Sequence, residues 1–224
     1  MSKKHRYLIL VAGGRGLRMG ASVPKQFLLI AGRPLIFHTI DKFLDYDPAI
    51  ELIIVLPEKN TTEWEAMCSR YGFTHDHDII QGGRERYNSV SRGLSLIRQE
   101  SLVAVHDAVR PLVSRETIER CFSRAEKDGT AVPFISPAES VREIITGDIN
   151  HSIPRDKVAL IQTPQIFRSD ILLTSYARVY DPGFTDDASV VEDAGYEINL
   201  VEGNRENIKI TTAEDLLIAE TLLA

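Results

Sequence analysis

Two periodicities divide the chain into elements that alternate almost throughout. Residues 7–12 form a continuous apolar run, the mark of a strand buried on both faces of a parallel sheet. Similar short runs at 52–56, 78–81, 102–106, 130–134 and 197–201 predict further strands. Helical spacing fills the gaps. Residues 34–44 place Leu35, His38, Thr39 and Phe43 on one face, with Pro34 in the first turn. Residues 62–71 stop at Gly72, and 84–99 align Tyr87, Val90, Leu94 and Ile97. Residues 114–127 begin with the cap Ser114 and stop before Gly129. Residues 169–180, 187–194 and 213–223 complete the set.

This alternation predicts an α/β fold, a Rossmann-like, mostly parallel sheet with helices on both faces and right-handed crossovers. A single domain over residues 1–224 is expected. In such sheets ligands sit outside the carboxyl ends of the strands. The glycines at 13–20 follow the first strand, Gly82-Gly83 the third and Asp107 the fourth. Residues from about 136 to 155 break the rhythm. Apolar positions flank a turn signal at Thr146-Gly147-Asp148, which reads as a protruding β-hairpin arm. A lone hairpin is unstable in water, so a second copy of the chain is expected to support it.

Composition narrows the function classes. The chain is 43% hydrophobic and 26% charged, ordinary for a globular protein. No apolar run is long enough to span a bilayer, and the first strand runs into glycines with no cleavage site, so no membrane segment or signal peptide is expected. Cys68 and Cys121 lack metal-type spacing and read as buried free thiols of a cytoplasmic protein. A net charge of −6 argues against nucleic acid as partner and leaves small anionic substrates open.

The run Ala12-Gly13-Gly14-Arg15-Gly16-Leu17-Arg18-Met19-Gly20 has the chemistry of a phosphate cradle. Glycines after a buried strand let backbone N–H groups approach a phosphate, and arginines are interleaved with them. It has neither P-loop nor dinucleotide spacing, which disfavours a nicotinamide-dependent oxidoreductase. Lys25 follows Pro24, whose fixed φ stiffens the turn that presents this point charge. In His106-Asp107-Ala108-Val109-Arg110-Pro111, Asp107 suits Mg²⁺ held by one carboxylate plus phosphates. Arg110 suits a second anion, although an Asp107–Arg110 ion pair closing the loop is the plainer alternative; His106 reads as structural. Gly82-Gly83-Arg84-Glu85-Arg86-Tyr87-Asn88-Ser89 sets two glycines before a helix, with Ser89 in its first turns. It could contact base and ribose, or leave Arg84 and Arg86 in solvent. Arg155, Gln162–Gln165, Thr185–Ser189 and Asn207–Thr211 are weak signals individually.

Taken in order, GGRGLRMG, VPKQF, GGRERYNSV, HDAVRP, QTPQIF, TDDASVVE and EGNRENIKITTAEDL resemble the 2-C-methyl-D-erythritol 4-phosphate cytidylyltransferases across nearly the whole chain. The resemblance implies a nucleotidyltransferase fold, a homodimer joined through the arm, and transfer of a cytidylyl group from CTP to methylerythritol phosphate with release of pyrophosphate. It implies that Arg18 and Lys25 stabilise charge on the triphosphate and that Asp107 holds Mg²⁺ beside the substrate. It places Arg155 and Lys209 on the methylerythritol phosphate, helped by Arg110 and Thr163. Ala12, Gly13, Gly14, Gly16, Gly82, Gly83, Ser89 and Ala108 fall on the CTP side. One position departs: the family usually carries Asp-Thr in the arm, and this chain has Ser140-Val141, where valine cannot hydrogen-bond to substrate. The rival readings are a ribitol 5-phosphate cytidylyltransferase, which shares many motifs, and a non-catalytic nucleotide sensor, which would not need a second phosphate site.

Overall fold

The structure, a computed structural model, describes residues 4–13 and 24–223. Strand β1 (His5–Val11) lies mid-sheet, paired in parallel with β4 (Glu51–Leu56) and β6 (Ser101–Asp107); β5 (His77–Gln81) extends the sheet beyond β4, also parallel. Beyond β6 the order continues through β11 (Gln165–Arg168), β7 (Thr130–Ile135) and β10 (Leu160–Ile161), with β12 (Leu200–Glu202) also on β7. The sheet is mostly parallel, as expected. The antiparallel strands β10 and β11 were not predicted, because segments of two and four residues carry no readable period.

The period of two sorts the strand side chains. Leu8, Leu10, Leu52, Ile54, Leu102 and Ala104 meet the helices α1 (Leu35–Tyr46), α2 (Thr61–Tyr71) and α4 (Arg115–Asp128). Their neighbours Tyr7, Ile9, Ile53, Val55, Val103 and Val105 meet α3 (Arg86–Leu94), α5 (Ser169–Tyr176) and α6 (Asp187–Asp193). Both faces are therefore covered, which is why the central stretches of β1, β4 and β6 are continuously apolar. A smaller cluster joins Ile30 of β2 (Leu29–Ile30), Leu35, Val109, Leu112 and Ile210 to Ala219 of α7 (Ala213–Leu223); β3 (Arg33–Pro34) pairs with β2 in a short hairpin.

Helix boundaries follow local chemistry. Gly72 adopts φ 65°, the left-handed conformation that ends α2. Ser114 Oγ accepts the Thr117 N–H at 3.1 Å and starts α4. The arm is present as β8 (Val141–Thr146) and β9 (Ile149–Ile153), antiparallel and forming a sheet of their own. Ile144, Ile145 and Ile149 on it are 74%, 60% and 61% exposed. Segment 207–211 is not a strand, and among the described residues no helix is long and apolar enough to cross a membrane.

Candidate active site

The ends of β1 and β6 lie side by side, Val11 opposite Asp107. Backbone bonds carry the ladder past them: Ala12 N–H to Val55 O (2.9 Å), Ala108 N–H to Val11 O (3.1 Å) and Gly82 N–H to Leu56 O (2.8 Å). Three separate motifs thus converge on one carboxyl edge. Ala12, Gly13, Lys25, Gly83, Ser89, Asp107 and Lys209 line a single cavity there. Of the predicted site, Gly14, Gly16 and Arg18 lie outside the described residues.

The Gly82-Gly83 turn is clamped from below. Ser89 Oγ accepts the Gly83 N–H at 3.1 Å and donates to Glu85 O at 3.1 Å. Arg92 Nη1 donates to the carbonyls of Gln81 and Gly82. A Cβ on Gly83 would run into Asn88, so only glycine lets the helix start so close to the strand. Ser89 lines the cavity while its hydroxyl holds this turn.

Asp107 is the electrostatic centre. Its Oδ2 accepts from Arg110 Nε at 3.1 Å and from Lys209 Nζ at 3.1 Å. Burial alone would raise its pKa, but the positive charges of Lys209, Arg86 and Arg110 outweigh burial and hold the carboxyl well below the usual carboxylate range. Its backbone is fixed by a directed chain of hydrogen bonds. The Asp107 N–H donates to Thr163 Oγ1 (3.2 Å), and that hydroxyl lies 2.9 Å from His106 Nδ1. His106 Nε2 lies 3.2 Å from Arg110 O, a carbonyl that can only accept. The ring is therefore protonated on Nε2, and Nδ1 accepts from Thr163. Burial pushes the His106 pKa down to about 3, so the ring stays neutral and is structural, as expected.

Three predicted substrate contacts do not line the cavity. Thr163 is buried with its hydroxyl engaged by Asp107 and His106. Arg110 forms the predicted alternative, an ion pair with Asp107, and also donates to Asn207 O at 2.8 Å. Arg155 stands at the foot of the arm, exposed, donating to Ala138 O. Each sits where a different element needs it: two brace Asp107, and one belongs to the arm.

Two participants carried too little sequence signal. Arg86, for which the sequence allows either site or solvent, lines the cavity and forms a bidentate pair with the fully buried Asp187, at 2.7 and 2.5 Å. Burial alone would favour loss of its proton, but Asp187 outweighs that and keeps Arg86 charged. The Tyr176 hydroxyl donates to the same carboxylate at 2.6 Å. Gln26 also lines the cavity. Arg84 borders the same cavity, with its side chain 93% exposed to solvent. The cysteines are far from any reactive state: burial pushes Cys68 up to about 11 and Cys121 up to about 12.

The arrangement suits reaction between two anions, since its walls gather cations around one carboxylate. Known proteins similar in sequence and shape point the same way. The family model described as 2-C-methyl-D-erythritol 4-phosphate cytidylyltransferase matches residues 7–224. The enzyme of that name from Phocaeicola vulgatus is 46% identical over 98% of this chain and 100% of its own length. Its counterpart from Azobacteroides pseudotrichonymphae is 47% identical over 98% and 99%. Among solved structures, the Thermus thermophilus enzyme superposes with a TM-score of 0.78 at 30% identity, and the 4-diphosphocytidyl-2C-methyl-D-erythritol synthase of Anaerococcus prevotii with 0.83 at 26%; each pair covers 98% of both chains. With a fold, a cation-lined carboxylate and nearly full-length relatives in agreement, the chain belongs to the 2-C-methyl-D-erythritol 4-phosphate cytidylyltransferase family and is an enzyme of the nucleotidyltransferase class.

Proposed function

We propose that this cavity joins CTP to 2-C-methyl-D-erythritol 4-phosphate, giving CDP-methylerythritol and pyrophosphate, within a single cytoplasmic nucleotidyltransferase domain. A phosphate oxygen of the polyol phosphate attacks the α-phosphorus of CTP. The bond from that phosphorus to the bridging oxygen breaks, and pyrophosphate departs with the electron pair. The nucleophile is already largely ionised at neutral pH, because the second pKa of a phosphate monoester is about 6. No general base is required, and the neutral, buried His106 supplies none. The difficulty is bringing two polyanions together, which positioned cations resolve.

The single observation that carries this reading is the Lys209–Asp107 pair, braced from behind by Arg110, opening onto the same cavity as Lys25. Lys25, with Arg18 from the preceding loop, would stabilise charge developing on the triphosphate. Ala12, Gly13 and the Gly82-Gly83 turn would hold the cytidine end by backbone groups. Lys209 would receive the polyol phosphate, while Arg110 and Thr163 orient Asp107. Mg²⁺ suits this donor set, because Asp107 presents one carboxylate on the cavity wall where the phosphates would lie. Mg²⁺ characteristically takes one or two carboxylates plus substrate phosphates. Asp107 would hold it, and the ion would neutralise phosphate charge.

Lys209→Ala is expected to raise KM for the polyol phosphate by about tenfold or more while KM for CTP stays near the wild-type value. Steady-state kinetics with each substrate varied decide this; a rise confined to CTP would place Lys209 in the other half of the site.

The exposed isoleucines of the arm support the homodimer reading, since three large apolar side chains on one hairpin favour burial against a partner. Arg155 at the arm's foot would then serve the neighbouring subunit's site. Ile144→Asp with Ile149→Asp is expected to convert a dimer to a monomer by light scattering. An unchanged mass would remove the arm as the interface.

A further inference from the structure

Gln26 is only 1% exposed, yet neither Oε1 nor Nε2 of its amide has a hydrogen-bond partner among the described residues. A buried amide in that state has lost its bonds to water and gained none, and such groups are rare without a use. Gln162 and Asn207 each also leave one oxygen unpaired, but their nitrogens are bonded. Among the described residues only Gln26 combines an orphaned donor and an orphaned acceptor with a place on the cavity wall.

Its backbone is not free to withdraw. The 3₁₀ turn Lys25–Phe27 is closed by Phe27 N–H to Pro24 O at 2.9 Å, and Phe27 is buried in the main core. Leu28 O then accepts the Leu35 N–H at 2.9 Å at the head of α1. The turn that presents Lys25 therefore also holds the amide against the cavity.

We propose that Gln26 is a further nucleotide-binding residue, whose amide gains its partners when CTP fills the cavity. This rests on the CTP reading above. The cavity already carries Lys25, Arg86 and Lys209, so a neutral amide adds direction without adding charge. Its N–H donates to an oxygen of the nucleotide, on the ribose or on a phosphate. A hydrogen bond of this kind fixes orientation, which the point charge of a lysine does not.

The test is Gln26→Met, close in volume and without polar atoms. Melting temperatures are measured for the ligand-free chain and with CTP, cytidine or inorganic triphosphate, each with Mg²⁺, alongside kcat and KM for both substrates. The ligand-free variant is expected to melt at or above the wild-type temperature, because an unpaired amide has been removed. KM for CTP is expected to rise by about tenfold, the size of one lost hydrogen bond that had been well placed, with KM for the polyol phosphate little changed. A stabilising shift lost with cytidine identifies the ribose as partner, and one lost with triphosphate a phosphate; either supports the proposal. An unchanged KM for CTP would overturn it. So would a variant that melts lower or fails to fold, since that marks a structural amide. A wild-type enzyme without cytidylyl transfer would sink the CTP reading instead, whatever the variant does.

Discussion

Asp107→Asn is expected to lower kcat/KM by about 10²–10³, the usual loss when a preorganised charge at a phosphoryl-transfer centre is removed. Asparagine keeps the shape but not the charge. Two cations then lose their shared counterion: Lys209 Nζ and Arg110 Nε both contact Oδ2 at 3.1 Å. Arg110 is the more costly of the two to strand, since its side chain is only 12% exposed. The variant is therefore expected to melt a few degrees lower as well as to lose activity. The two effects separate by assaying well below the melting point, where a folded but inactive protein carries the result. Raising Mg²⁺ should recover little, because the carboxylate proposed to hold the metal has gone. Activity near wild type in the folded variant would show that Asp107 organises the loop and nothing more.

Lys25→Ala is expected to cost at least about tenfold in turnover, and more if its charge acts chiefly on the departing pyrophosphate. The side chain lines the cavity from a turn anchored by Phe27 in the core, so removing it leaves the scaffold in place. Circular dichroism should match the wild type. The loss should fall mainly on kcat, because charge builds on the triphosphate as the bond breaks. Lys25→Arg should recover only part of it, since a planar fork does not reproduce a compact ammonium. Near-normal turnover in Lys25→Ala would assign the charge stabilisation elsewhere.

How far these residues can be read from sequence depends on how local their causes are. β1 and β6 announce themselves because strands covered on both faces carry continuous apolar runs, here residues 7–11 and 102–105. Asp107 and the Gly82-Gly83 turn follow from that, since the first closes β6 and the second directly follows β5. Helix α3 is shorter than the periodicity suggested. Ser95, Leu96 and Ile97 continue with N–H bonds to residues three positions back, in tighter turns that still point Leu96 and Ile97 at the core. The apolar spacing therefore outlasts the α-helix. Helix α5 ends at Tyr176, short of the expected Tyr180, and the one proton of the Tyr87 hydroxyl is shared between the carbonyls of Tyr176 (2.9 Å) and Arg178 (2.7 Å) at that end. The Arg86–Asp187 pair spans 101 positions, and no local pattern announces it. The inward hydroxyl of Thr163 and the unpaired amide of Gln26 are likewise products of packing.

The rival reaction on ribitol 5-phosphate would also consume CTP, so residues that handle CTP do not separate the two. The polyol phosphate does. Pyrophosphate release, followed with CTP and Mg²⁺ and either 2-C-methyl-D-erythritol 4-phosphate or ribitol 5-phosphate, tests the central claim most directly. The predicted result is a kcat/KM clearly higher with methylerythritol phosphate, with the cytidylyl group found on the polyol phosphate. Faster release with ribitol phosphate, or no release with either despite measurable CTP binding, would contradict it.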